Sequence, residues 1–292
     1  MEQLVPSPVP CCNSSGFVIL RSLVRFSSCC LGVKCWYVEY PWITPRSALP
    51  RNEKQALQCL HALEKRLAKD ANLAQDFSDQ IQAMVDSEVV RVLSDEEIRN
   101  WKGDYYYLPM VGVKEPKKDR IRVCYDASRK VGGYPSMNMC LMKGPDRFIN
   151  DMQSVVLSFR NGRVGCAADI TKFHHQVRLI EKDVHMQRFL WDGKTYAVTR
   201  NNFGVRAANS IATIALHASA DEFASVYPIE SREVKEQTYV DDELTAARDI
   251  HEARIKTSRW DEICEHAGCL IKDGSTVVTK HLMWKWVQVV TR

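Results

Sequence analysis

The 292-residue sequence contains no Cys-x-x-Cys pair, although it holds eleven cysteines. Zinc ribbons and thioredoxin-like centres need that spacing, so neither is supported. Cys11, Cys12, Cys29, Cys30 and Cys35 lie near the N-terminus and the others are scattered. An odd number without pattern fits free thiols in a reducing compartment better than a disulfide framework. No apolar run reaches the roughly 18 residues a spanning helix needs; the nearest, Gly16 to Val33, is broken by Arg21 and Arg25. Pro6, Pro8 and Pro10 stand where a signal peptide would carry its basic region, so no secretory leader is expected. Excess charge of one sign is also small: the formal net charge of +4 is compatible with a nucleic-acid partner but does not argue for one. Internal repeats and low-complexity tracts are absent as well.

What is present suits a globular chain of one large domain or two small ones, 45% hydrophobic and 26% charged. Residues 1–36 lack periodicity and read as an unstructured or unrelated leader. Pro41, Pro45 and Pro50 keep the next segment extended. Asn52 is placed to cap a helix to about Lys69, with Leu57, Leu60, Leu63 and Leu67 as its stripe. A second helix starts near Ala71, with Leu73, Phe77, Ile81 and Val85 on one face. From Tyr105 the texture turns to strand. Met110 to Val113 and Arg120 to Tyr125 form a hairpin whose tip carries Lys114, Lys117, Lys118 and Arg120. A solvated charged hairpin and a phosphate-binding one both fit that tip. A helix over Asp146–Arg160 precedes an apolar strand, Val164 to Ile170. Asp192-Gly193 marks another hairpin, between Arg188–Trp191 and Thr195–Val198. An alanine-rich helix runs from about Ala207 to Ser225, and a last helix from Asp249 to Ala267 has Ile255, Trp260 and Ile263 inward.

The chemistry rests on one Asp ending a buried strand, Asp169, and an adjacent pair, Asp241-Asp242, at the bend of a later hairpin. Nucleotidyl transfer uses two divalent ions, one to activate a 3′-hydroxyl and both to steady the reacting phosphate. Mg²⁺ takes hard oxygen ligands, and two carboxylates on neighbouring strands suit it. Asp169 and Asp241 fit the bridging role, the Ile170 carbonyl is a further ligand, and Asp242 helps hold the ions. Alone, Tyr-x-Asp-Asp is short, and a solvated acidic turn accounts for it. The order around it carries more weight: a basic hairpin, a strand ending in Asp, Phe203-Gly204 before a helix of small residues, then the acidic hairpin.

These stretches extend to a wider match. YVEYPW (37–42), HALEKRLAKDANLAQDF (61–77), YYLPMVGVK (106–114), IRVCYDAS (121–128) and MNMCLMKGPD (137–146) come first. AADITKFHHQVRL (167–179), MQRFLW (186–191), FGVRAANSIATIAL (203–216) and TYVDD (238–242) follow. In this order, over about residues 37–275, the chain resembles the reverse transcriptase domain of Pao/BEL-type long-terminal-repeat retrotransposons. The resemblance implies an α+β fold: the palm and fingers of a right-hand polymerase, with an antiparallel palm sheet backed by helices. It implies RNA-directed DNA polymerase activity, two Mg²⁺ ions with Mn²⁺ as an alternative, and deoxynucleotide triphosphates and a primed RNA or DNA template as partners. Asp169, Asp241 and Asp242 would be catalytic and, with Ile170, hold metal. Lys114 and Arg120 would meet the incoming triphosphate, Phe203 and Gly204 would lie beside nucleotide and template, and Tyr239 near the primer end. Ordinary core packing is the alternative for Phe203 and Tyr239.

Three positions depart from the pattern. His174 stands where the family has Phe or Tyr as a steric gate against a ribose 2′-hydroxyl. Asn209 replaces a frequent Pro, and Glu243 follows the acidic pair where a less charged residue is usual. The segments divide as leader 1–36, extended and helical segment 37–104, fingers and palm 105–275, and unrelated tail 276–292. No thumb, protease, ribonuclease H or integrase is recognised, so the expectation is a polyprotein fragment, with an inactive remnant that keeps the fold and binds nucleic acid weakly as the alternative. Its expected place is intracellular, in the cytoplasm or in retrotransposon particles, with no membrane partner.

Overall fold

The computed structural model describes residues 24–28, 34–114, 121–144, 149–266, 268–269, 271, 276–281 and 285–290. In chain order the described elements begin with β1 (Val24–Ser28), β2 (Lys34–Val38), α1 (Glu53–Leu67), α2 (Ala71–Asp86), β3 (Val90–Val92) and α3 (Asp95–Asn100). Next come β4 (Met110–Lys114), β5 (Ile121–Tyr125), α4 (Met152–Arg160), β6 (Val164–Asp169), β7 (Arg178–Leu179) and α5 (Glu181–Val184). They continue with β8 (Arg188–Trp191), β9 (Lys194–Val198), α6 (Ala208–Glu222), α7 (Pro228–Gln237) and β10 (Thr238–Tyr239). The last are β11 (Asp242–Ala247), α8 (Ile250–His266), β12 (Thr276–His281) and β13 (Lys285–Val290). The architecture mixes helices with antiparallel sheet in two compact units, each discontinuous in sequence.

One unit contains Glu39–Pro145 and Leu179–Ala208. Its β4–β5 hairpin runs in the register Met110↔Tyr125 to Lys114↔Ile121. The outer edge of β5 is not left open. From α2, Asp76 accepts the Ile121 N–H at 3.0 Å, and Gln80 donates to the Ile121 carbonyl and accepts from Val123 at 3.4 Å. Helix side chains thus occupy backbone groups that would otherwise invite another strand. The β8–β9 turn follows the two-residue logic of its sequence: Asp192 at φ 45° and Gly193 at φ 67° match a primed turn, and Trp191 pairs with Lys194. Phe189 stacks on Tyr196 at 5.1 Å and approaches Tyr125 at 5.3 Å, giving the unit an aromatic core. The Tyr40–Arg46 segment is tied down by the fully buried Asp183. That carboxylate accepts from Tyr40 N–H (2.6 Å), Trp42 Nε1 (2.8 Å) and Arg46 Nε (2.9 Å). Burial raises its pKa, and Arg46 with the two N–H groups opposes that rise.

Two details of the helices differ from expectation. Asn52 occupies the cap position of α1 but does not cap it. Its amide instead donates to the Tyr107 carbonyl at 2.7 Å and accepts the Tyr107 N–H at 2.8 Å, so it pairs with an extended backbone as a strand residue would. The buried stripe of α1 is Ala56, Leu60, Leu63 and Leu67, and Leu57 points outward. On α2, Asp70 does cap, accepting from Leu73 N–H at 3.1 Å, and Phe77 and Ile81 are buried.

The other unit contains Val24–Val38, Asp146–Arg178 and Asn209–Arg292. Its sheet has the order β10-β11-β6-β12-β13, with antiparallel neighbours throughout. The segment set apart in the sequence as a tail therefore contributes two strands, with β12 pairing along β6 from Thr276↔Ala167 to Thr279↔Val164. Part of the leader is also ordered: β1 and β2 form a hairpin, and Trp36 Nε1 donates to Ser219 Oγ at 2.8 Å. Helix α4 begins at Met152, later than expected, where Asp151 caps it by accepting from Ser154 N–H at 2.8 Å. On α8, Trp260 and Ile263 are buried as expected, whereas Ile255 is exposed. Lys256 joins α8 to α7 and β11, donating to Glu233 at 2.7 Å and to the Ala246 carbonyl at 2.9 Å. Among the described residues, no helix is long and apolar enough to cross a membrane.

Candidate active site

Asp169 is the last residue of β6 and Asp242 the first of β11, and the two are direct partners in the antiparallel register. Direct partners project to the same face, with Cβ atoms about 5 Å apart. Asp241 sits beside them in the bend, where its carbonyl accepts the Ile170 N–H at 2.8 Å. That bond carries the β6 backbone one residue past the ladder. The β10–β11 pair closes at Tyr239↔Asp242, so the bend has two residues, Val240 and Asp241. A two-residue hairpin demands positive φ at its corner, and Val240 has φ 60°. A β-branched side chain in that region is strained, and such strain concentrates at functional sites.

The electrostatics agree with the register. Partial burial raises the Asp242 pKa, and the charges of Asp241 and then Asp169 raise it further. Asp242 therefore senses both neighbouring carboxylates. His174, on the short turn Phe173–Gln176, is held below the usual imidazole range by burial, with Asp241 opposing. Ile170 is buried and Tyr239 half-buried. These residues all belong to the second unit. In the first unit, Lys114 is exposed at the end of β4, and Phe203 is 46% exposed beside Gly204. Arg120, with the rest of the basic tip, lies outside the described residues.

The aspartates and the Ile170 carbonyl offer the all-oxygen donor set that a hard divalent ion takes. The three aspartates are not, however, the group drawn most tightly together. Among the described residues, Glu97, Glu181 and His185 each bring a ligand atom within 4.8 Å of the others. That cluster, which sequence reasoning passed over, is already neutralised. Arg91 donates to Glu97 at 2.9 and 2.7 Å and also to Glu181; it lowers the pKa of Glu97, and His185 first and then Arg91 lower that of Glu181. Arg188 directs two N–H groups at His185 Nδ1, at 3.1 and 2.8 Å. A guanidinium thus holds the place of a cation, and the cluster is an ion-pair clasp with Trp101 stacked on His185 at 3.7 Å.

Glu243, one residue beyond the pair, is buried on β11 and accepts from Cys264 Sγ at 2.9 Å. Burial pushes its pKa up to about 7. The strict alternation of a strand put Asp242 and Glu243 on opposite faces, a signal present in the sequence.

No protein-family model matches this chain, and no curated protein matches it in sequence. Solved structures do. A foamy viral protease-reverse transcriptase in complex with double-stranded DNA aligns with a TM-score of 0.51 at 13% identity, over 68% of this chain and 31% of that one. The native prototype foamy virus protease-reverse transcriptase aligns with a TM-score of 0.50 at 16% identity, over 68% of this chain and 23% of that one. At such identities the likeness is one of fold: the chain has a reverse transcriptase-like fold and spans less than a third of the length of either protein.

Proposed function

We propose that this chain is the polymerase core of a retrotransposon reverse transcriptase of the Pao/BEL type, acting as an RNA-directed DNA polymerase within a longer polyprotein. The observation that carries the proposal is the pairing of Asp169 with Asp242 across β6 and β11, with Asp241 in the adjoining bend. The raised pKa of Asp242 supports it, because carboxylates that repel one another are stabilised by an added cation.

In this reading the second unit is the palm and the first unit carries the fingers hairpin. Asp169, Asp241 and Asp242, with the Ile170 carbonyl, would hold two Mg²⁺ or Mn²⁺ ions, whose bound chemistry is to lower the pKa of the primer 3′-hydroxyl and offset phosphate charge. The 3′-oxygen attacks the α-phosphorus of a deoxynucleotide triphosphate, the bond to the β-phosphate breaks, and pyrophosphate leaves. Lys114 and Arg120 meet the triphosphate, which their charge offsets. His174 takes the place beside the sugar where the resembled family carries an aromatic gate, while Tyr239 packs near the primer end. Phe203 and Gly204 face the template. The site of action is the cytoplasm or a retrotransposon particle.

Primer extension on an RNA template with Mg²⁺ tests the proposal. Asp241→Asn should lower the rate at least a hundredfold, the order expected when a charge acting on the transition state is removed. Equal incorporation by wild type and variant would sink it. The competing reading is an inactive remnant that still binds nucleic acid, favoured by His174 at the sugar gate. Salt-sensitive binding by wild type without any extension would establish that reading instead.

A further inference from the structure

The segment MNMCLMKGPD has no part in the chemistry above, yet one of its residues holds the turn that presents Phe203. Asn202 to Val205 form a turn closed by Val205 N–H donating to the Asn202 carbonyl at 3.3 Å. Gly204, at its third position, has φ 84°, as a type II turn requires. A Cβ there would run into the Tyr125 carbonyl oxygen at the end of β5, so the turn is pressed against that strand as well as bent. Phe203 occupies the second position, the outer corner, and the residue is 46% exposed.

Asn138 holds the C-terminal half of this turn with both ends of its amide. Nδ2 donates to the Gly204 carbonyl at 2.8 Å and to Ser128 Oγ at 2.9 Å, and Oδ1 accepts the Arg206 N–H at 2.7 Å. Asn138 is itself fixed, because its N–H donates to the Ala127 carbonyl at 3.0 Å, just beyond β5. One side chain therefore satisfies an acceptor inside the turn and a donor just past its end, both on the C-terminal side of Phe203, and ties them to the strand that Gly204 abuts. Both Nδ2 hydrogens and one Oδ1 lone pair are committed to these bonds, so Asn138 acts through the turn.

We infer that Asn138 is a positioning residue that holds the Phe203 corner rigid for stacking against an unpaired template base. This rests on the polymerase reading for the identity of the partner. An exposed aromatic at a rigid corner suits a base with a free π-face, and rigidity matters because a freely moving ring would lose entropy on stacking.

The test uses the full chain and two RNA template–DNA primer duplexes, one blunt and one with a single-stranded template overhang, read by fluorescence anisotropy. Asn138→Ala and Phe203→Ala should each weaken binding of the overhang duplex about tenfold, the order of one stacked base. Asn138→Ala should leave blunt-duplex binding within about twofold, because phosphate contacts are untouched. The double variant should bind like Phe203→Ala alone. Asn138→Asp keeps the acceptor for Arg206 and loses the donor for Gly204, so it should fall between wild type and Asn138→Ala. Wild-type binding of the overhang by Asn138→Ala, equal loss on both duplexes, or multiplied losses in the double variant would each overturn the inference. A wild type that does not prefer the overhang overturns it too. A wild type that prefers the overhang but extends no primer overturns the polymerase reading and leaves the role of Asn138 standing.

Discussion

Carboxylates crowd together in two regions of this molecule, and the two differ in how their charge is answered. Glu97 and Glu181 share Arg91, and their pKa values are lowered. Asp169, Asp241 and Asp242 repel, and the pKa of Asp242 is raised. The tighter geometry, among the described residues, belongs to the first group. The pKa shifts have opposite signs: ion pairing lowers Glu97 and Glu181, while burial and then the neighbouring carboxylates raise Asp242. Glu243 shows a third answer one residue away: it is buried against Cys264 and keeps a proton up to about pH 7.

The sharpest way to break the contrast is activity. Asp169→Asn should reduce primer extension at least a hundredfold, about 3 kcal/mol in the barrier, whereas Glu97→Gln should leave the rate within about twofold. Comparable losses in both would erase the distinction. Metal binding carries the same signature: Mg²⁺ at about ten times its Kd should stabilise wild type by roughly 1.4 kcal/mol in thermal melts, and Asp169→Asn should abolish this. Because protons compete for Asp242 at a higher pH than for an ordinary aspartate, the Mg²⁺ effect should fade early as pH falls.

Next in size is Glu243→Gln. The folded chain binds the Glu243 proton more tightly than the unfolded one, so no stability is lost at pH 4.5 and a loss accrues as pH rises through 7. The variant should exceed wild type by on the order of 2–3 kcal/mol in urea denaturation at pH 8, and match it near pH 4.5. A pH-independent difference would contradict the assignment. Arg91→Met should cost about 1–2 kcal/mol, because the clasp is only partly buried; a gain in urea midpoint would show that Arg91 is dispensable there. The smallest effect is Val240→Gly, which should raise stability by about 1 kcal/mol by removing positive-φ strain. An unchanged or lower midpoint would mean that Val240 packing outweighs its backbone.

Elements governed by neighbouring residues were legible in the sequence. The Asp192-Gly193 turn follows from local turn chemistry, the β4–β5 hairpin and the acidic bend from the strand patterns that flank them, and the reverse transcriptase-like mixture of helix and sheet and the pairing of Asp169 with Asp242 from the resemblance carried by the ordered motifs. What was not legible depended on distant partners. Asn52 reads as a cap until Tyr107 is beside it, and Leu57 belongs to the stripe until a tertiary face selects Ala56 instead. The hairpin in the leader and the two strands after residue 275 were missed for the same reason, since strand pairing is decided across the sheet and not along the chain. Asn138 was noticed only as part of a motif, because its meaning lies in two backbone groups more than sixty positions away.

The pairing of β12 with β6 has a practical consequence. The strand that ends in Asp169 is flanked on one side by β11 and on the other by residues far downstream. A recombinant version trimmed at 275 would bare a row of peptide groups on β6, ready to recruit a neighbouring molecule and precipitate. Keeping those last residues is therefore a condition for obtaining well-behaved material.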